Sequence, residues 1–245
     1  MEVINDLLGY EGLKIVQDPE MFNFSIDSML LGSFVTINKK TKRIIDLCSG
    51  NAPIPLYLTL RTKNRIVGVE IQKKAFQLAQ KSVIINNKEE QIIIYNRDLK
   101  GISRELGNQA FDLVTCNPPF FKYHDGSNIN KNDFLTIARH EVMVTLDDIV
   151  KESSLLLNNG GYLAMVHRPD RLLDVLETFR KYKIEPKRLQ FVYPKKGSPA
   201  NHILIEGMKS QNQGGLTVLE PLYIYNDDNT WTEDIRRIYN LKEEF

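Results

Sequence analysis

The segment Thr115-Cys116-Asn117-Pro118-Pro119-Phe120-Phe121 closes a short apolar run at 110–114. Two successive prolines lack amide donors, and each restricts the backbone of the residue before it, so a buried strand has to end here. The chain then holds Asn117 at a fixed, solvent-facing position with an aromatic, Phe120, beside it. In a parallel sheet the carboxyl ends of the strands are where ligands bind.

Other short apolar segments alternate with helical patterns along most of the chain. Residues 44–48, 65–70, 91–95, 111–115 and 162–167 read as strands, and 184–192 and 203–207 as a final pair. Between them the spacing predicts helices at 53–60, 72–86, 134–157 and 169–180. Ala75, Phe76, Ala79, Val83 and Ile84 mark the apolar side of the second helix, and Asn158-Asn159-Gly160-Gly161 serves as the C-cap of the third. Such alternation is the pattern of an α/β fold with a doubly wound sheet.

A length of 245 residues, 42% hydrophobic and 26% charged, supports one sizeable domain with short additions. We divide it into an N-terminal addition, 1–35, and a main domain, 36–245. Residues 3–15 read as a weak helix or turn interrupted by Gly9 and Gly12. Residues 21–35 carry alternating Phe22 and Phe24, with Ser25 or Asp27 capping a helix that runs through Phe34. Residues 214–225 add one extended segment, and a polar tail follows.

The formal net charge of +1 does not by itself point to a polyanion, but its distribution is uneven. Seven Lys or Arg lie between 180 and 196 against one acid, Glu185, whereas residues 1–30 hold six acids and a single lysine, Lys14. The two cysteines, Cys48 and Cys116, form no metal-ligand spacing, which predicts a reducing compartment and no metal site. There is no signal segment and no run of about 18 apolar residues, so the expectation is a cytoplasmic protein without a membrane partner.

Four features fall at strand ends: Asp46 with the Gly50-Asn51 turn, Glu70, Asp98 with Leu99, and Asn117. The turn Asp46-Leu47-Cys48-Ser49-Gly50-Asn51-Ala52 lacks both the spaced glycines of a pyrophosphate loop and the Gly-Lys-Ser/Thr of a triphosphate loop. An adenosine cofactor without a pyrophosphate fits what remains. Glu70 is able to accept from both ribose hydroxyls and Asp98 from the adenine amino group.

Asn117-Pro118-Pro119-Phe120 resembles the (N/D/S)-P-P-(Y/F/W) motif of S-adenosylmethionine-dependent amino methyltransferases. Nearly the whole chain resembles the tRNA1(Val) adenine-N6 methyltransferase family, through FNFSIDSMLL, IDLCSGNAPIPL, VGVEIQ, CNPPFF, HRPDRL and PKKGSPANHILIEG. The resemblance implies a Rossmann-like, seven-stranded methyltransferase sheet with helices on both faces. It also implies S-adenosyl-L-methionine as methyl donor and, as acceptor, the adenosine beside the anticodon of a valine tRNA. On this basis Asn117, Pro118, Pro119 and Phe120 form the catalytic motif, with cofactor contacts at Asp46, Gly50, Asn51, Glu70, Asp98, Leu99 and Asn117. Phe120 would stack on the flipped base, Phe24 would close its other side with Asp27 holding that segment, and Arg168, Arg188, Lys195 and Lys196 would contact phosphates. The motif equally suits adenine in DNA or ribosomal RNA, or a glutamine amide. A non-catalytic RNA-binding protein is the alternative of another class. One departure stands in the cofactor loop: the family usually has glycine where this chain has Ala52, a change tolerated if φ stays below zero.

Overall fold

The computed structural model describes residues 2–7, 10–21, 26–118, 144–210 and 212–239; Phe24, Pro119 and Phe120 lie outside them. Ile44, Ile45 and Leu47 are wholly buried, as residues of a strand covered on both faces must be. That strand, β3 (Arg43–Leu47), is the centre of the molecule. Its neighbours are β4 (Arg65–Glu70) and then β5 (Ile92–Asn96) on one side, and β6 (Phe111–Cys116) and then β7 (Leu157–His167) on the other, all parallel. β9 (His202–Lys209) runs antiparallel between β7 and β8 (Ile184–Tyr193). These seven strands are the expected sheet. Two short strands, β10 (Thr217–Val218) and β11 (Leu222–Tyr223), pair with β8 and bring the sheet to nine.

Side chains alternate between two cores. Ile44 enters the one covered by α1 (Ile26–Phe34), α2 (Pro53–Leu58) and α7 (Glu233–Ile238); Ile45 and Leu47 enter the one covered by α4 (Ile102–Leu106), α5 (Leu146–Leu156) and α6 (Leu172–Lys181). α3 (Lys73–Ile85) follows β4. The architecture is a Rossmann-like sheet with helices on both faces, as expected.

Several local expectations change. Residues 3–15 are no helix: β1 (Val3–Leu7) and β2 (Tyr10–Gln17) form an antiparallel hairpin. Its second strand is held on α3, where Ser82 Oγ accepts the Val16 amide at 2.9 Å. This bond satisfies Ser82, which is buried in α3, while Ile84 is 55% exposed; the apolar face runs through Leu78 and not through Ile84. Asp27 does not cap α1 but sits in its first turn. Within the described residues the third long helix runs from Leu146 to Leu156, with Thr145 and Asp148 forming a capping box. Asn158-Asn159-Gly160-Gly161 is not its C-cap. Leu157 already pairs with Phe111, and the four residues form an irregular stretch inside β7. The polar tail is also folded: Tyr225 bridges Trp231, and Tyr239, fully buried, stacks on that indole at 4.7 Å between centroids.

Candidate active site

β3, β4 and β6 end side by side, with Leu47 level with Val69 on one flank and Cys116 on the other. Beyond Leu47 the chain turns through Cys48, Gly50 and Ala52, whose φ angles are 58°, 54° and 71°. Residues of alternating hand turn backbone N–H groups toward a shared concavity. The condition for tolerating Ala52 is therefore not met. It takes the left-handed conformation at a cost of about 1–2 kcal/mol, partly offset because its methyl is fully buried.

Two carboxylates brace this turn. Glu70 Oε2 accepts the Gly50 amide at 2.8 Å and Oε1 the Gln72 amide at 2.7 Å. Burial nonetheless pushes the Glu70 carboxyl above its ordinary value. Asp46, 1% exposed, accepts Ser49 Oγ at 2.7 Å and Thr115 Oγ1 at 2.6 Å. Burial outweighs those donors and raises its pKa to about 7, with the charge of Glu70 adding to the rise. Gly68 allows the strands to approach: a Cβ there would lie 2.6 Å from both Ser49 Oγ and Ile94 Cδ1.

Asn51 does something the sequence did not suggest. Its Nδ2 donates to the Val16 carbonyl at 2.9 Å and ties the turn to the N-terminal hairpin. Asp98, at the end of β5, accepts the Lys100 amide at 2.9 Å and stays partly exposed, while Leu99 is buried. The space beside Gly50 is open, and Gln72 Oε1 is buried without a hydrogen-bond partner among the described residues. A spare buried acceptor beside buried carboxylates suits the ribose diol and ammonium group of an adenosine-based sulfonium cofactor.

Asn117 follows β6 directly. Its Nδ2 donates to Ser28 Oγ of α1 at 3.2 Å, which leaves Oδ1 as the acceptor atom. Pro118, next in the chain, is buried. Further along the same edge of the sheet, His167 Nδ1 accepts the Arg168 amide at 2.8 Å, and burial lowers this imidazole to about 4. His202, the first residue of β9, places Nε2 at 3.2 Å from Asp27 Oδ1. Because β8 and β9 are antiparallel, the loop with Lys195 and Lys196 also lies at this edge. Lys195 Nζ donates to the Asp227 carbonyl at 3.2 Å, and Arg168 pairs with Asp170 at 3.2 Å. Sequence reasoning missed Ser28 and His202; only their inclusion in the quoted family stretches marked them.

The basic run at 180–196 is not one patch. Arg180 pairs with Glu185 and Lys181 with Asp147. Arg188 stacks on Phe34 and holds Glu206, which is fully buried, at 3.1 Å. Arg188 is thus already engaged by Phe34, Thr36 and Glu206.

Residues 12–192 match the family described as Methyltransferase small domain. The chain belongs to that family. It is 30% identical over 191 residues to the tRNA1(Val) (adenine(37)-N6)-methyltransferase of Porphyromonas gingivalis, covering 75% of this chain and 73% of the relative. An Agrobacterium tumefaciens protein described as a predicted O-methyltransferase superposes with a TM-score of 0.69 at 19% identity, over 87% of this chain and 95% of that one. Geranyl diphosphate C-methyltransferase from Streptomyces coelicolor, solved with S-adenosyl-L-homocysteine, gives a TM-score of 0.55 at 10% identity, over 74% and 76%. The methyltransferase shares their fold, and their named chemistries, at oxygen and at carbon, mean that the fold does not choose the acceptor. It is an enzyme of the S-adenosylmethionine-dependent class, related to the tRNA1(Val) adenine-N6 methyltransferases. Among the described residues no helix is long and apolar enough to cross a membrane, and no cluster of three metal-binding side chains occurs.

Proposed function

We propose that this enzyme methylates the exocyclic N6 of an adenosine in tRNA, and that its target is the adenosine beside the anticodon of a valine tRNA. The observation that carries the reading is Asn117 at the end of β6, one strand from the Asp46–Gly50 turn, with Nδ2 engaged by Ser28 and Oδ1 left to accept. The name of the Porphyromonas gingivalis relative supports the acceptor.

An adenine amino nitrogen is a poor nucleophile because its lone pair is delocalised into the ring. Asn117 Oδ1 and the Pro118 carbonyl each accept one of its hydrogens, draw the nitrogen toward tetrahedral geometry and aim its lone pair at the methyl. S-adenosylmethionine supplies that methyl already activated on a sulfonium sulfur. The product proton leaves to water, so no strong base is required. Glu70, Asp98, Leu99 and the Asp46–Asn51 turn hold the cofactor. Pro119 and Phe120 complete the motif; Phe120 would stack on the flipped base and Phe24 would close its other side, with Asp27 holding that segment. Arg168, Lys195 and Lys196 meet the RNA backbone. Residues 1–35 are an addition to the methyltransferase domain at 36–245, fastened to it through Ser82, Asn51 and the packing of α1 on the sheet.

The test is mass spectrometry of nucleosides from individual tRNAs of cells with and without the gene. Loss of N6-methyladenosine from valine tRNA is the expected result. Its persistence there, with loss of a methyl group from ribosomal RNA, DNA or a protein glutamine, would overturn the reading.

A further inference from the structure

The first turn of α1 carries two buried polar residues in succession, Asp27 at 6% and Ser28 at 3% exposure. They reach opposite partners. Ser28 Oγ accepts the Asn117 side-chain amide at 3.2 Å, and Asp27 Oδ1 lies 3.2 Å from His202 Nε2. α1 packs on both β7 and β9, so the carboxylate–imidazole pair pins this turn to the sheet edge that carries the site. Tyr239, fully buried in the C-terminal segment, lies in the field of Asp27, and Arg168 in that of His202.

We propose that the Asp27–His202 pair is a positioning device for Asn117, acting through Ser28. The proposal rests on the reading of Asn117 as the residue that orients the acceptor amine. A terminal amide has two orientations of similar energy, and only one offers oxygen to an N–H donor. With Nδ2 held by Ser28, Oδ1 faces the acceptor; reversed, an N–H would oppose the N–H of the substrate. Ser28 anchors the Asn117 amide through this bond, and the pair fixes where Ser28 stands. Neither Asp27 nor His202 is assigned contact with the reacting atoms, so both are positioning residues. A small displacement of such a group is enough to slow a reaction greatly.

The test has two arms. In the first, the side-chain amide signals of Asn117 are followed by heteronuclear NMR in the protein saturated with S-adenosylhomocysteine, and assigned with Asn117→Asp. Ser28→Ala and His202→Ala are expected to shift these signals. His202→Gln, whose amide N–H replaces Nε2–H toward Asp27, is expected to keep the wild-type pattern. In the second, kcat and KM for methyl transfer to tRNA are measured. Here kcat falls about tenfold in Ser28→Ala and in His202→Ala while both KM values stay within about twofold, and His202→Gln recovers most of the loss. The double variant is no slower than Ser28→Ala within about twofold, because both changes act through one contact. Unmoved Asn117 signals in His202→Ala, or additive losses in kcat, would reduce the pair to a structural tie and overturn the proposal. If His202→Ala does not fold, Asp27→Asn carries the same comparison. Should the signals respond as stated while the wild type methylates no tRNA, the acceptor reading fails and the positioning role stands.

Discussion

Glu70 Oε2 accepts the Gly50 amide at 2.8 Å and so ties the end of β4 to the turn that leaves β3. The same carboxylate accepts Gln72 N through its other oxygen, so one buried side chain shapes both loops of the candidate cofactor site. Glu70→Ala leaves two amides without that acceptor, at a stability cost of about 1–3 kcal/mol. It also removes the group proposed to grip the ribose. Calorimetric titration with S-adenosylmethionine should show at least about tenfold weaker binding, the loss of one hydrogen bond to a charged group. Unchanged affinity would place the ribose elsewhere.

Gly68 and Ser49 lie too close for a side chain at 68 unless Ser49 or Ile94 moves. In Gly68→Ala the new methyl meets Ser49 Oγ and Ile94 Cδ1 at 2.6 Å. The strain should cost about 1–3 kcal/mol in urea unfolding and weaken cofactor binding, because Ser49 must move with the turn. Full stability together with full affinity would show that the turn adapts freely.

Asp46 makes stability depend on pH in a definite direction. Its ordinary value is 3.8, and in the folded protein it stands at about 7. Between these values the folded state holds the extra proton, so this contribution is fully present below the lower value and is lost as pH rises through the upper one. Asp46→Asn should flatten that part of the profile. If the ammonium of the cofactor requires the ionised carboxylate, affinity for S-adenosylmethionine should increase roughly tenfold between about pH 6 and pH 8. A flat profile in the wild type would remove Asp46 from this role.

What could be read from the sequence depended on whether a residue's partner lay nearby in the chain. The strand ends at Asp46, Glu70 and Asn117 were legible because apolar runs stop there and polar or proline residues begin. The central strands and α3 were legible for the same reason. The N-terminal hairpin was not, because β2 is stabilised by Ser82 and Asn51, far away in sequence. Asn158-Asn159-Gly160-Gly161 misled for a related reason: Gly160 has φ of 80° as a C-cap glycine would, but inside a strand. The basic run misled because charge counting cannot see that Glu206 and Asp147 already hold two of its members.

Lys195 and Lys196 lie at the edge that carries Asn117, which is where an RNA backbone would pass on its way to a flipped base. The Lys195→Ala/Lys196→Ala variant should bind valine tRNA more weakly with unchanged cofactor affinity. The slope of log affinity against log salt should fall by up to about 0.9 for each phosphate that the variant no longer neutralises. Parallel lines of equal affinity would take these lysines off the RNA surface.

The most direct measurement is a single-turnover reaction of the wild type and Asn117→Ala with unmodified valine tRNA and S-adenosylmethionine, read by nucleoside mass spectrometry. The wild type should form N6-methyladenosine at the position beside the anticodon, and Asn117→Ala should form it about a hundredfold or more slowly, the usual effect of removing one oriented polar group at a reacting centre. Methylation of a different nucleoside by the wild type, or wild-type speed in Asn117→Ala, would contradict the assignment.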